Sequence, residues 1–279
     1  MTSMCVNLRN RLTGVVLGLM MWIGSGLVQA AEVVILMHGH VSGEDAWRRS
    51  GVTGELVAAG WEAGGRVVVT APGQVEFRGK RPRGQRIYFL ADLPSEAPVL
   101  VQAKALQEVI LAIRKRRDVE PTTLVGHSAG GVVARTAMVQ ARDLAIDTLI
   151  TIAAPHLGTD KAEVAGLVAS TPLAMMAPMM GLDTLNRSKS LYDDLVHERP
   201  GSFLYGLNRQ PHPKARYISV VRRDGFAWVG DQTVPSWSQD MSRVEALREL
   251  ASPAVEIGSD HALTQQDGQE LVRLLAKES

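Results

Sequence analysis

Apolar and β-branched runs, each bounded by turn residues, alternate with helical patterns along most of this sequence. The runs occupy residues 32–37, 66–70, 122–125, 148–153, 216–221 and 254–257. Helical periodicity covers residues 46–59, 97–117, 131–142 and 264–277. Several runs are almost continuously hydrophobic, which is typical of strands covered on both faces. Strands that alternate with helices predict an α/β fold with a mostly parallel central sheet and helices on both faces.

The length and composition are consistent with one large domain. The chain has 279 residues, of which 46% are hydrophobic, enough for an extensive core. It contains no internal repeat and no low-complexity linker. We therefore expect a single domain over residues 31–279, with an insertion over about 158–213 that has no clear strand and is long enough to be functional or separately folded.

Residues 1–30 have the layout of a secretory signal. Arg9 and Arg11 precede an apolar run, residues 12–28, that ends in small residues up to Ala30. Cleavage after Ala30 predicts an exported protein, periplasmic or secreted, with 28 basic and 29 acidic residues and no cysteine, since Cys5 is removed. The alternative is an uncleaved membrane anchor, although four glycines and a serine interrupt the run.

The stretch Leu124 to Arg135, LVGHSAGGVVAR, holds a serine between two glycines. A predicted strand precedes Ser128 and a predicted helix follows it. Strand, sharp turn and helix together project a serine hydroxyl above a sheet, and Gly126 and Gly130 avoid collisions with the neighbouring strand and helix. Ser128 is therefore the candidate nucleophile, and the alternative is a structural turn.

A serine hydroxyl needs a base to accept its proton. When the serine lies on such a strand–turn–helix motif, called a nucleophile elbow, the base follows the last strand of the sheet. Of the seven histidines, only His261 lies near the end, between the last predicted strand and the last helix. His127 lies inside the elbow itself, and the other histidines considered as bases are predicted to be surface or loop residues: His40, His156, His197 and His212.

The acid that orients the base is expected between Ser128 and His261. Asp231, in GDQTVPSWSQ, is preferred because its polar loop follows the strand at 216–221, and Asp224 is the competitor. Asp260 is adjacent to His261, and neighbouring side chains on an extended segment point apart.

Two backbone N–H groups are expected to bind the oxyanion. One is that of Ala129, at the positive end of the helix after Ser128. The other lies in the loop after the first strand, LMHGHVSGEDAW, where His40 is preferred to Val41. A metal site at His38 and His40 is the alternative, but no nearby acid or cysteine completes it.

Three further segments admit two interpretations each. Met175, Met176, Met179 and Met180 predict either an adaptable acyl-binding lid or a buried core helix. Residues 78–86 carry five positive charges and suit either anionic lipid head groups or a solvated loop. The basic residues 114–117 end a helix, where they complement its dipole, and require no nucleic acid.

Taken in order, five pieces of the chain resemble the α/β-hydrolase superfamily, in particular its bacterial lipase and GPI inositol-deacylase-like branch: VILMHGHVSGEDAW, TLVGHSAGGVVAR, TIAAPHLGT, VGDQTVPSWSQ and GSDHALT. The resemblance spans most of residues 31–279. It implies Ser128 as nucleophile, His261 as base, Asp231 as acid, and His40 and Ala129 as oxyanion donors. His40 departs from the apolar residue of many relatives, and the acid turn reads Asp-Gln-Thr-Val-Pro rather than Asp-Gly-Val-Val-Pro.

The expected activity is that of a secreted serine hydrolase that cleaves lipid or other acyl esters through an acyl-enzyme, without a metal or other cofactor. Its expected partners are the acyl ester substrate and, transiently, a membrane or lipid surface, but no nucleic acid. Amidase, thioesterase or acyltransferase activity uses the same residues. A non-catalytic binding protein with this fold is the remaining alternative.

Overall fold

The computed structural model describes residues 31–40, 43, 45–116, 119–162, 186–223, 231 and 233–276. Several sequence predictions concern residues outside these ranges: the signal segment 1–30, Val41, the four methionines at 175–180, and Asp224. In the part of the chain that the structure describes, no helix is both long and apolar enough to span a bilayer.

A sheet of eight strands organises the described chain. The strands are β1 (Ala31–Met37), β2 (Glu62–Ala71), β3 (Gln74–Arg78), β4 (Arg86–Asp92), β5 (Val119–His127), β6 (Thr148–Ile152), β7 (Arg216–Val221) and β8 (Val255–Glu256). Their spatial order is β3-β2-β4-β1-β5-β6-β7-β8. Only β3 is antiparallel to its neighbour, so the expected mostly parallel sheet is confirmed.

Helices cover both faces of the sheet. They are α1 (Asp45–Arg49), α2 (Val52–Ala58), α3 (Val99–Arg116), α4 (Ala129–Gln140), α5 (Lys189–Asp194), α6 (Phe203–Arg209), α7 (Ser236–Gln239) and α8 (Gln265–Ala276). Successive residues of β1 point to opposite faces. Val33 and Ile35 pack with α3 and α4, whereas Val34 and Leu36 pack with α2 and α8. Strand β1 is therefore buried on both sides, as its continuous apolar run predicts.

The helix predicted over residues 46–59 is wrong in one respect, because the structure divides it into α1 and α2. Gly51 separates the two helices with a left-handed backbone, at a φ of 87°. A residue in that conformation cannot continue a right-handed helix, and glycine adopts it without the steric cost of a Cβ atom.

The described end of the insertion at 158–213 forms α5 and α6. The leucines of these helices, Leu191, Leu204 and Leu207, belong to the same core as Leu149 of β6 and Tyr217 of β7, as does Leu195, which directly follows α5. The apolar faces of α5 and α6 are therefore packed into the body of the domain.

Candidate active site

Ser128 occupies the turn between β5 and α4, at the carboxyl edge of the sheet. Its φ of 53° and ψ of −131° are unusual for a residue with a side chain. Two main-chain hydrogen bonds hold it: the Ser128 N–H donates to the Ile152 carbonyl oxygen at 2.9 Å, and the Gly131 N–H donates to the Ser128 carbonyl oxygen at 2.9 Å. The turn is thus fixed to β6 on one side and to α4 on the other.

Glycines let the chain approach itself closely around Ser128. A Cβ atom at Gly126 would lie 2.5 Å from the Cα of Gly131, and one at Gly130 would lie 2.5 Å from the carbonyl oxygen of His38. Both distances are far below ordinary contact, so a side chain at either position forces backbone to move. The sequence prediction gave these glycines the same steric role.

Ser128, His261 and Asp231 meet in one chain of hydrogen bonds. The Nε2 atom of His261 lies 2.9 Å from Ser128 Oγ, and its Nδ1 atom lies 2.6 Å from Asp231 Oδ2. Because a carboxylate only accepts, Nδ1 carries the proton, and the lone pair of Nε2 faces the serine hydroxyl. Such an arrangement can remove the hydroxyl proton as the oxygen attacks a carbonyl carbon.

The Asp231 carboxylate is almost fully enclosed, with a side chain that is 2% exposed. Its Oδ1 atom accepts the N–H groups of Thr233 at 2.7 Å and Val234 at 2.9 Å, and its Oδ2 atom also accepts from Gln239 Nε2 at 3.1 Å. Burial raises the pKa of Asp231, but the bond to His261, the charge of that residue and the two N–H groups together hold the pKa below its ordinary value. Asp231 therefore remains ionised beside the imidazole.

Backbone N–H groups are available near Ser128 for an oxyanion. Ala129 begins α4, and the first N–H groups of a helix have no acceptor within the helix. The loop after β1 packs against this turn, since a Cβ atom at Gly39 would lie 3.3 Å from Ser128 Oγ. The loop after β1, which leads to His40, therefore packs against Ser128 and the start of α4.

The side chain of His40 contacts the segment that follows residue 185. Its Nε2 atom lies 2.7 Å from the Ser188 hydroxyl, and its ring meets that of Tyr192 edge to face at 5.1 Å. Burial lowers the pKa of His40, and the charge of Glu96 opposes this effect. His38 instead donates through Nδ1 to the Gly39 carbonyl oxygen at 2.9 Å. The two imidazoles therefore have different partners, and the described residues contain no cluster of three or more potential metal ligands.

Three side chains to which the sequence analysis gave no role hold the loop of His261. His127 donates through Nε2 to the main-chain oxygen of His261 at 2.9 Å. Arg222 donates to the carbonyl oxygens of Ile257 at 3.0 Å and Ala262 at 3.1 Å. Asp267, on α8, accepts from Arg222 and from the Thr264 N–H, the latter at 2.7 Å. The loop is thus fixed on both sides of the imidazole.

His127 is neutral in this arrangement. Burial, followed by the charge of His261, lowers the pKa of His127 from 6.5 to about 4. Because the His261 oxygen can only accept, the proton of neutral His127 lies on Nε2. Its other nitrogen, Nδ1, is buried and has no hydrogen-bond partner among the described residues.

Gln239 connects the acid to Arg222. While its Nε2 atom donates to Asp231, its Oε1 atom accepts the backbone N–H of Arg222 at 2.8 Å. The sequence offered little indication of these partners, since Gln239 and Arg222 are polar residues that usually lie at the surface, and both are buried here. His127 was the most accessible to sequence reasoning, because it is adjacent to Ser128.

Two other expectations concern residues near the site. His156 was predicted to be a surface or loop residue; it lies in the loop after β6, but it is fully buried and its Nε2 atom is 3.0 Å from the Thr151 hydroxyl. Asp260, which was set aside as the orienting acid, is exposed, whereas Asp231 contacts the imidazole.

A family model described as "Alpha/beta hydrolase family" matches residues 34–274. A search of curated proteins finds no match. Solved structures with similar folds include the lin2722 gene product of Listeria innocua, at 17% identity and a TM-score of 0.58, covering 88% of this chain and 92% of that one. The mature form of the Bacillus licheniformis lipase BlEst2 has 13% identity and a TM-score of 0.57, with coverages of 89% and 92%. The RedJ thioesterase of Streptomyces coelicolor has 16% identity and a TM-score of 0.52, with coverages of 90% and 91%.

Proposed function

Because this chain belongs to the α/β-hydrolase family, we propose that it hydrolyses carboxylic esters through a covalent acyl-enzyme on Ser128. The observation that carries the proposal is the continuous hydrogen-bond chain from Asp231 through His261 to Ser128, with distances of 2.6 Å and 2.9 Å. The Asp231 pKa lies below its ordinary value, which keeps the carboxylate charged.

In the first half of the reaction, His261 Nε2 takes the hydroxyl proton while Ser128 Oγ bonds to the ester carbonyl carbon. The carbonyl oxygen becomes negatively charged and is stabilised by the N–H groups of Ala129 and His40. The imidazolium then gives its proton to the departing alkoxide as the carbon–oxygen bond breaks. An alcohol leaves, and the acyl group remains on Ser128.

In the second half, water takes the place of the alcohol. His261 removes a proton from the water as the water oxygen attacks the acyl carbon. His261 then gives this proton to Ser128 Oγ as the acyl–serine bond breaks. The carboxylic acid leaves, and the free serine is restored. Throughout, the Asp231 carboxylate keeps the imidazole in the tautomer with Nδ1 protonated and stabilises the positive charge that it gains.

For the acyl group, we propose a lipid-like or other apolar chain. The support is the sequence around Met175, Met176, Met179 and Met180, since methionine side chains adapt to apolar surfaces of different shapes. These residues lie outside the described part of the chain, so the acyl preference rests on the sequence. We further propose, from the layout of residues 9–30 alone, that the protein is exported and cleaved after Ala30. Amino-terminal sequencing of protein recovered from a bacterial periplasm tests this, because an intact residue 1 would contradict it.

Purified protein should be tested on p-nitrophenyl esters of increasing acyl length, with tributyrin, a long-chain triglyceride, and amide and thioester analogues of the best ester. We expect esters to be cleaved fastest, and a fluorophosphonate should label wild type but not the Ser128→Ala variant. Faster cleavage of the amide or thioester would replace the ester assignment by that chemistry. No turnover of any substrate, together with no labelling, would favour a binding protein.

A further inference from the structure

A pocket with an apolar floor and a basic rim lies between β3, the middle of β4 and the end of α3. Its volume is about 90 Å³. Phe77, Phe89 and Ile113 form the floor, and Lys80, Arg81 and Arg116 form the rim. Residues 79–82 and Arg116, from two basic segments that lie far apart in the sequence, therefore converge on one pocket.

The floor of the pocket is built from aromatic rings. Phe77 and Phe89 meet edge to face, with ring centroids 6.2 Å apart. A Cβ atom at Gly64 would lie 2.3 Å from the Phe89 ring, so the glycine gives this ring its space. A hydrocarbon chain that enters the pocket can therefore lie against aromatic carbon, and its transfer from water to this floor is favourable.

The rim carries positive charge that the described residues do not neutralise. Lys80, Arg81 and Arg116 are exposed, and no carboxylate of the described residues lies within ion-pair distance of them. The Arg116 guanidinium lies over the Phe77 ring at 3.6 Å, and Arg81 Nη2 approaches the Arg116 carbonyl oxygen at 3.5 Å. The guanidinium groups are thereby oriented at the rim and keep free N–H donors for an anion.

Two acidic residues near the pocket, Glu76 and Glu62, have other partners among the described residues. Glu76 accepts from Arg78 at 2.9 Å, and Glu62 accepts the backbone N–H groups of Arg83 at 2.9 Å and Gly84 at 2.5 Å. None of the described residues that line the pocket is acidic. An anion at the rim is therefore attracted by three cations, and no carboxylate of the described lining residues repels it.

This pocket is remote from Ser128. Its floor is built on β3 and β4, whereas Ser128 follows β5, and in the sheet order β1 separates β4 from β5 while three strands separate β3 from β5. At the usual spacing of about 4.8 Å between neighbouring strands, β5 lies about 10 Å from β4 and about 19 Å from β3. A molecule in the pocket consequently does not occupy the site of ester cleavage.

We propose that this pocket binds a single anionic group, a carboxylate or phosphate, that carries an alkyl chain. The anion lies between Arg81, Arg116 and Lys80, with hydrogen bonds from the guanidinium groups, and the first carbons of the chain cover Phe77 and Phe89. The ligand is an amphiphile held as one molecule, either free in solution or as a component of a lipid surface. The proposal concerns binding and is independent of the reaction at Ser128.

The test is isothermal titration of the purified protein with octyl phosphate below its micellar concentration, beside inorganic phosphate and octyl glucoside. We expect octyl phosphate to bind more tightly than both, because only it satisfies rim and floor together. The Arg81→Gln/Arg116→Gln variant should bind octyl phosphate about tenfold more weakly or worse, since each substitution removes charge-assisted hydrogen bonds. Arg248→Ala/Lys214→Ala removes two exposed cations elsewhere and should bind like wild type.

Three results would overturn the proposal. Equal affinity for inorganic phosphate and octyl phosphate would show that the floor contributes nothing. Unchanged affinity in the Arg81→Gln/Arg116→Gln variant would place the ligand elsewhere, as would an equal loss in the control variant. The Arg81→Gln/Arg116→Gln variant should retain wild-type ester hydrolysis. Loss of binding at this pocket and loss of the proposed reaction can therefore be observed separately.

Flotation with vesicles identifies the source of the amphiphile. If the ligand belongs to a lipid surface, wild type should float with vesicles of phosphatidylglycerol and phosphatidylcholine but not of phosphatidylcholine alone, and the Arg81→Gln/Arg116→Gln variant should remain unbound. If wild type binds octyl phosphate but neither kind of vesicle, the ligand is a free amphiphile.

Discussion

Arg222 and Asp267 form a bidentate ion pair that is buried beneath the loop of His261. The Arg222 nitrogens lie 2.6 Å and 3.1 Å from the two carboxylate oxygens, and the side chains are 1% and 0% exposed. A buried ion pair is weak evidence for stability, because the desolvation of two charges offsets their attraction. Here the same guanidinium also donates to two carbonyl oxygens of the loop, which gives the pair a second role in holding His261 in place.

Asp267→Asn should therefore destabilise the protein by roughly 3–5 kcal/mol, because it leaves the Arg222 charge buried without its partner. Urea unfolding measures this loss. A loss of activity in this variant has two possible causes, because an unfolded fraction is inactive and so is a folded enzyme whose His261 is displaced.

The double variant Arg222→Met/Asp267→Leu separates the two effects. Replacement of a buried ion pair by apolar residues is often tolerated, whereas the loop still loses the donors to Ile257 and Ala262. We expect a folded protein whose kcat is about 10- to 100-fold below wild type, since small displacements of a base are costly. A wild-type kcat in that folded protein would show that the pair does not position His261.

His261→Ala should abolish ester hydrolysis, and Asp231→Asn should lower kcat by several orders of magnitude but less than the histidine variant, because the acid acts only through the imidazole. Initial rates and fluorophosphonate labelling of the same preparations provide the measurement. Asp224→Asn is the matched control and should behave like wild type. Greater damage from Asp224→Asn than from Asp231→Asn would exchange the roles of the two acids.

Burial of His127 should make the protein less stable in mild acid. The pKa of this histidine is 6.5 in the unfolded chain and about 4 in the folded protein. Between these values the unfolded chain binds a proton that the folded chain does not bind. The free energy of unfolding should thus fall as the pH decreases from about 6.5 to about 4, by of the order of 3 kcal/mol for this residue, and then level off.

Urea titrations across this pH range should give a shallower profile for His127→Gln than for wild type. Other histidines with lowered pKa values, His40, His156 and His212, titrate in the same direction in both proteins, so their contributions cancel in the comparison. His261, Arg222 and Asp267, whose charges face His127, are likewise present in both. Parallel profiles would mean that His127 contributes no pH dependence.

Gly130→Ala should impair both stability and activity. The added Cβ atom would lie 2.5 Å from the His38 carbonyl oxygen, so the loop after β1 must move away from α4. We expect a loss of roughly 1–3 kcal/mol, as for other overpacked sites, and a reduced kcat because that loop borders Ser128. Thermal unfolding and initial rates measure the two effects.

Gly54→Ala is the control for this substitution. Gly54 lies inside α2, and a Cβ atom there would meet nothing within 4 Å. Alanine should stabilise the helix by up to about 1 kcal/mol and leave activity unchanged. If Gly130→Ala behaved like Gly54→Ala, the close approach between Gly130 and the His38 carbonyl oxygen would not be required for stability or activity.

The sequence predicted most of the sheet because its central strands are continuous apolar runs, and β7 was predicted with its observed bounds. β3 was missed because alternating polar and apolar residues in a five-residue edge strand resemble a loop. β4 carries a buried apolar run like those of the predicted strands, so its sequence did contain the necessary pattern. Local sequence patterns therefore predict strands, helices and turns.

Contacts between distant residues were beyond the sequence. Ser128 could be proposed because its turn is local, between a strand and a helix that adjoin it. The pair of Arg222 with Asp267 joins residues 45 positions apart, and nothing in either neighbourhood specifies the other. The same holds for the convergence of residues 79–82 and Arg116 on one pocket, which depends on how β3 and α3 pack.

The Met-rich part of the insertion allows a test of acyl preference. On the lid hypothesis, replacing Met175, Met176, Met179 and Met180 with serine should sharply reduce hydrolysis of long-chain or emulsified esters and spare short soluble ones. The melting temperature should change little. A panel of p-nitrophenyl esters and an emulsified triglyceride, together with thermal unfolding, provides the measurement.

The same four positions changed to leucine are the matched control, because leucine keeps the apolar character and nearly the volume of methionine. That variant should retain activity on long chains, which would assign the loss in the serine variant to polarity. If the four methionines instead form a buried core helix, the serine variant loses several buried side chains, at about 2–5 kcal/mol each, and unfolds or becomes inactive on every substrate alike. A uniform loss of activity with a collapsed melting temperature would therefore rule out the lid.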